Sequence, residues 1–110
     1  MEPYSSIDNL DLLTVYQQSR KLGGLIWRIV TKWDYLEQRT LGTQWTRATD
    51  SITFNIAEGY GRFHFNDSIR FYYYARGSDF EFFSQLTAAY DRKLISDQQY
   101  DNIKQTADQI

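Results

Sequence analysis

Asn55, Glu58 and Arg62 follow one another at spacings of three and four, and Ser78 and Glu81 stand three apart further along the chain. On a helix, such spacings stack side chains on one face. Two carboxylates, Glu58 and Glu81, could then face each other as a carboxylate pair able to do acid–base work. Arg47, Arg62 and Arg76 are the cations available to them, and arginine beside a carboxylate favours ion pairing over proton transfer. The arrangement expected from these residues is a polar network that ties two helices together, with Glu58 holding a buried arginine. On that reading Glu58→Ala costs roughly 2–4 kcal/mol, because an unpaired charge is left buried. The alternative is that the same groups meet a ligand, an RNA backbone or a neighbouring subunit.

Other chemistries find little support. His64 is the sole histidine and sits in the turn-like stretch Arg62-Phe63-His64-Phe65-Asn66. A di-iron bundle needs Glu-x-x-His on two helices, which one histidine cannot supply. No motif places a serine nucleophile beside it. There is no Gly-x-x-x-x-Gly-Lys phosphate loop, and Gly59-x-Gly61 lacks the strand that a dinucleotide-binding turn follows. The absence of cysteine removes thiolate ligands, disulfides and cysteine nucleophiles. The expectation is a protein without catalytic residues, cofactor, metal or small-molecule substrate.

These residues need helices to position them. The chain has 110 residues, 42% of them hydrophobic, which suits one small domain with one core. Its only proline, Pro3, precedes the first periodic segment, and no linker-like run divides the rest. A first helix is expected over residues 7–35, capped by Ser6 or Asp8, with Leu10, Leu13, Tyr16, Leu22, Leu25, Ile26, Ile29, Val30 and Trp33 at helical spacing. A second, over 41–60, carries the stripe Leu41, Trp45, Ala48, Ile52, Ile56 and Gly59. A third, opened by Asn66 or Asp67 and running to about Leu94, carries Ile69, Tyr72 or Tyr73, Arg76, Phe80, Phe83, Thr87, Tyr90 and Leu94. The fourth opens on Ser96-Asp97-Gln98-Gln99, which has the form of a capping box. Gly59 and Gly77 lie inside helices at a cost of about 1 kcal/mol each relative to alanine, and the missing side chains would let helices approach closely. Four amphipathic helices with short connections predict an all-α, antiparallel up-and-down four-helix bundle spanning residues 1–110.

The third helix packs seven aromatic rings into the thirteen residues from Phe71 to Phe83. Successive residues step about 100° round a helix, so these rings cannot share one stripe. Phe71, Tyr74 and Phe82 are the candidates to point away from the core and into an oligomer interface. Net charge is −2 but unevenly placed, with nine Lys or Arg against five Asp or Glu between residues 20 and 76. Arg20, Lys21, Arg28, Lys32, Arg39, Arg47 and Arg70 are the candidates for RNA or DNA contact, although an acidic chain is not a general phosphate binder. No run approaches the roughly 18 apolar residues of a membrane span. The stretch MEPYSSIDNLDLL lacks the basic and apolar regions of a signal peptide, so a cytoplasmic protein without a membrane partner is expected.

Arg47-Ala48, Ser51-Ile52, Asn55-Ile56-Ala57-Glu58-Gly59, Arg62 and Ala75-x-Gly77-Ser78-x-x-Glu81 occur in the order and spacing of a known family. Together they resemble the small bacterial four-helix bundle proteins named for the intervening sequence of 23S ribosomal RNA genes. A related pattern occurs in the accessory variability determinant protein of diversity-generating retroelements. The resemblance implies a ring-like homopentamer of bundles. The retroelement relative further implies a basic surface for nucleic acid and a reverse transcriptase as partner. It makes Asn55, Glu58, Gly59, Arg62, Gly77, Ser78 and Glu81 signature positions and brings no catalytic role. The family's proline-containing turn after the first helix is absent from Lys32-Trp33-Asp34-Tyr35-Leu36-Glu37.

Overall fold

The computed structural model describes residues 7–110, and all regular structure among them is helical. A single turn, α1 (Ile7–Leu10), leads into α2 (Thr14–Val30). A short α3 (Tyr35–Glu37) runs through a π-helical turn (Gln38–Gly42) into α4 (Thr43–Tyr60). The long α5 (Phe65–Asp91) and α6 (Asp97–Asp108) complete the fold. The four long helices are α2, α4, α5 and α6. α4 packs extensively on α5 and on α2, and α6 lies mainly against α2. The particle is elongated, 47 × 21 × 21 Å.

The helix expected over residues 7–35 is broken. Leu12 and Leu13 donate their amides three residues back, to Asn9 and Leu10, and Leu13 is extended, with φ −74° and ψ 116°. Gln17 Nε2 donates to the Asp11 carbonyl at 2.6 Å, so a side chain meets a backbone acceptor at the break. Of the two expected caps, Ser6 lies outside the described residues and Asp8 falls within α1. At the other end, Gln38 Nε2 donates to the carbonyls of Val30 and Thr31 at 3.2 and 3.1 Å. Those are carbonyls at the end of α2, and that of Val30 also accepts from the Trp33 amide at 3.0 Å. Gln38 thus closes the turn that lacks proline, and Asp34 opens α3. Gly42 fits here because a Cβ would stand 2.7 Å from Val30 Cγ1.

The stripe expected on α4 is buried in full: Leu41 in the π turn, then Trp45, Ala48, Ile52, Ile56 and Gly59. Trp45 is the centre of an aromatic stack, with Trp33 on one side at 5.9 Å and Phe82 edge-on at 5.8 Å on the other. Trp33 Nε1 also donates to the Leu94 carbonyl at 3.1 Å, fastening the α5–α6 connection to the α2–α3 turn. α5 ends with Lys93 at φ 59°, and the amides of Leu94 and Lys93 donate back to the Ala89 and Tyr90 carbonyls. This is the glycine-type helix ending, here taken by lysine. The Ser96 capping box is present: Ser96 Oγ accepts from the Gln99 amide at 3.1 Å and Gln99 Oε1 accepts from the Ser96 amide at 2.8 Å.

On α5 the expected stripe is out of phase. Arg76, Phe80, Thr87 and Tyr90 are exposed, and the buried positions are Ala75, Phe82, Gln85, Leu86 and Ala89. Phe82 is fully buried, so its assignment to an outward interface is wrong. Phe80 and Phe82 are two residues apart, roughly 200° round the helix, and only one can face inwards. The small residues set the phase. Ala75 and Ala89 each lie seven residues from Phe82, one heptad either way, and let α5 settle close with a single large ring between them.

Candidate interaction surface

The sequence motif is distributed over the α4–α5 junction, and its parts do different things. Ser78 Oγ donates to Ser51 Oγ at 2.8 Å across the junction. Asn55 Nδ2 donates to Ser51 Oγ at 3.0 Å and to the Ser51 carbonyl at 2.8 Å. The polar tie between α4 and α5 is therefore neutral, built from two serines and an amide. Glu58 is not in it. Its side chain is 55% exposed and accepts from Arg62, just past the end of α4, at 3.1 Å. Glu81 is exposed and accepts from Gln85, also on its own helix, at 3.4 Å. Among the described residues no ion pair joins α4 to α5, so the expected buried clamp of carboxylate and arginine is not formed. Charged groups keep their hydration by staying outside, while small hydroxyls satisfy one another where the helices meet.

Arg62 instead turns to the aromatic start of α5. Its guanidinium stands 4.5 Å from the Phe71 ring centre, and that of Arg70 stands 5.2 Å from the same ring. Tyr74 meets Phe71 edge-to-face at 5.5 Å. Phe71 is thus half-covered by two arginines of its own chain, while Tyr74 stays exposed. His64 is the exposed residue preceding α5, edge-on to Phe63 at 5.2 Å.

The two motif glycines differ. A Cβ on Gly59 would stand 2.7 Å from Tyr72 Cε1 and 3.0 Å from the Ser68 carbonyl, so the α4–α5 approach requires glycine there. A Cβ on Gly77 would meet nothing within 4 Å. Gly77 lies on an outward strip with Tyr73 and Phe80, which are 64% and 66% exposed. The spacing 73-77-80-84 repeats as four, three, four, the interval of a helix-pairing seam. Tyr73 and Phe80 were missed as surface residues because Phe80 was read into the core. The signal that finds them is the alanine heptad about Phe82, which fixes the phase of the whole helix.

A model of the 23S rRNA-intervening sequence protein family matches residues 11–110. The chain belongs to that family. No curated protein matches it. For this 23S rRNA-intervening sequence family member, the geometry around the motif is that of a helix junction, with its charged members at the surface.

The basic candidates do not form one cluster. Arg20 faces Asp11 at 3.9 Å and Arg70 faces Asp67 at 3.7 Å, so each is partly neutralised. Arg39 stacks on Tyr35 at 5.9 Å in the π turn. Lys21, Arg28 and Lys32 are exposed and recur at intervals of seven and four along the α2 direction. Beside them Trp27 is 60% exposed. Trp27 and Arg47 line opposite sides of a groove that also holds Thr31, Thr43 and Thr46. Among the described residues no group of His, Cys, Asp and Glu is arranged to hold a metal ion, and no helix is long and apolar enough to cross a membrane.

Proposed function

We propose that the protein is a non-enzymatic cytoplasmic scaffold that works as a homo-oligomer, a pentamer, of antiparallel up-and-down bundles. The observation that carries this reading is the outward strip of α5, where Tyr73 and Phe80 flank a glycine with open space above it. Large exposed rings beside a helix position that tolerates close approach suit a second helix lying along the first. Tyr74 extends the strip at its N-terminal end, and Phe71 reaches it only through the Arg62–Arg70 cover. The antiparallel order is supported by short connections at residues 31–34, 61–64 and 92–96, each joining helices that touch. The number five comes from the family resemblance.

Light scattering on the full chain tests the assembly. A particle five times the 13.1 kDa chain mass is expected at micromolar concentration. A 13.1 kDa monomer ends the proposal, and another multiple ends the pentamer while keeping the scaffold.

A second reading, an accessory protein that binds RNA or DNA alongside a ribosomal RNA insertion or a reverse transcriptase, is favoured by the α2 cations beside Trp27 and Arg47. A basic strip with an exposed indole suits single strands, which pair phosphate contacts with stacking. Filter binding to structured and single-stranded RNA distinguishes the readings. Affinity that falls steeply from low to moderate salt supports this role, and no binding at low salt removes it.

A further inference from the structure

One cleft of the fold lies away from the α5 strip and plays no part in the scaffold proposal. It opens between α4, α5, the start of α2 and the residues that follow α6, with a volume of about 390 Å³. That lies within the range of small-molecule sites, roughly 300–1,000 Å³. Its walls are mainly apolar: Leu13, Val15, Ile52, Ile56, Ala75 and Ile110, with Tyr72 beside them. One acid, Asp79, is set into them.

Asp79 stands four residues after Ala75 and three before Phe82, on the inward seam of α5 where an apolar residue would be expected. Its Oδ1 is closed off from solvent and accepts no hydrogen bond among the described residues. No ion pair within 4 Å engages it among those residues. Arg76 lines the cleft too, but it is exposed and its guanidinium lies 5.7 Å over the outward Phe80 ring. Burial, and after it the charge of Asp108, pushes the Asp79 carboxyl pKa up. The charge that adds to burial is thus that of a second acid. A half-buried carboxylate without a cation is a standing cost to the fold, and in a cleft it marks a binding position.

We propose that this cleft binds a small organic ammonium ion, with its hydrocarbon body among Ile52, Ile56 and Ala75 and its charged nitrogen on Asp79. The apolar walls reward a compact alkyl or arylalkyl group. The carboxylate rewards a cation and disfavours an anion of the same shape. A neutral ligand would gain the walls alone.

The test titrates the full chain with hexylammonium, hexan-1-ol and hexanoate, following backbone amide shifts. Hexylammonium is expected to saturate, with shifts centred on Ile52, Ala75 and Asp79. It is expected to bind on the order of tenfold more tightly than hexan-1-ol, as a charge-assisted hydrogen bond implies. Hexanoate is expected to give no saturable shift. In Asp79→Asn the ammonium should fall to the affinity of the alcohol, while the alcohol is unchanged. Equal affinities for ammonium and alcohol on the unaltered chain overturn the proposal, as do shifts that centre elsewhere. The same equality is the result expected if Arg76 swings in to pair with Asp79. The three-probe comparison needs no variant, so it stands even if Asp79→Asn fails to fold.

Discussion

Gly59, in the last turn of α4, and Gly77, in the middle of α5, belong to the same sequence motif. Their surroundings are opposite. Gly59 sits under the Tyr72 ring and the Ser68 carbonyl, closer than any side chain could. Gly77 has open space where its side chain would be. The first glycine is explained inside one chain. The second is not, and its neighbours Tyr73 and Phe80 are exposed rings without a place in the core. The α4–α5 junction is a finished contact, whereas the outer strip of α5 has the composition of a contact with no partner from the same chain.

The largest separation between the two regions should come from Phe82 and Phe80. Phe82→Ala removes a fully buried ring that packs on Trp45, and a loss of about 3–5 kcal/mol in denaturant unfolding is expected. Phe80→Ala should change the stability of an isolated chain by less than about 0.5 kcal/mol while lowering the particle mass seen by light scattering. Equal destabilisation by the two would show that the inward and outward faces of α5 have been exchanged.

Gly59→Ala comes next. A new Cβ gains at most about 1 kcal/mol of helix propensity in the last turn of α4 but must displace Tyr72 and press on a backbone carbonyl. Overpacking of this kind costs typically 1–3 kcal/mol, so a net loss of about 1 kcal/mol is expected. Gly77→Ala has the opposite sign in the isolated chain. Nothing opposes the propensity gain, and the monomer should become about 1 kcal/mol more stable. If a second helix lies along the strip, the same methyl weakens association, and the two readouts move apart. A higher melting temperature with an unaltered particle mass would remove Gly77 from the interface.

The legibility of the sequence differed between the same two regions. On α4 the large apolar residues other than the exposed Phe54 lie on one 3.6-residue period, and the stripe Leu41, Trp45, Ala48, Ile52, Ile56, Gly59 could be read directly. On α5 the aromatic residues sit on both sides, so hydrophobicity carries no phase. The phase lies in Ala75 and Ala89, small residues whose significance appears only when another helix is packed against them. The break at residues 11–13 and the π turn were invisible for a related reason. Both are accompanied by isolated side-chain bonds, one from Gln17 to Asp11 and two from Gln38 to Val30 and Thr31, which leave no periodic trace. The capping box of α6, being wholly local, was legible in full. Within the motif, residue types announced that polarity was needed at the junction, but the small Ser51 hydroxyl drew less notice than the carboxylates.

The smallest expected effects test that last point. Ser78→Ala removes the only hydrogen bond from Ser78 to α4, while Ser51 Oγ retains the bond from Asn55. A loss of about 1 kcal/mol is expected, the net worth of one such bond. Glu58→Ala should cost less than about 0.5 kcal/mol. Its partner Arg62 is itself 40% exposed, and a solvated i,i+4 pair contributes little. Arg62 would also keep its position over Phe71 without the carboxylate. The order Ser78 above Glu58 reverses what charge alone would suggest, and chemical unfolding of the two variants measures it. A loss of several kcal/mol at Glu58 would mean that its side chain is buried when the protein is assembled. The outer strip would then extend along α4 to reach it, and the contrast between a finished junction and an open face would hold only for the isolated chain.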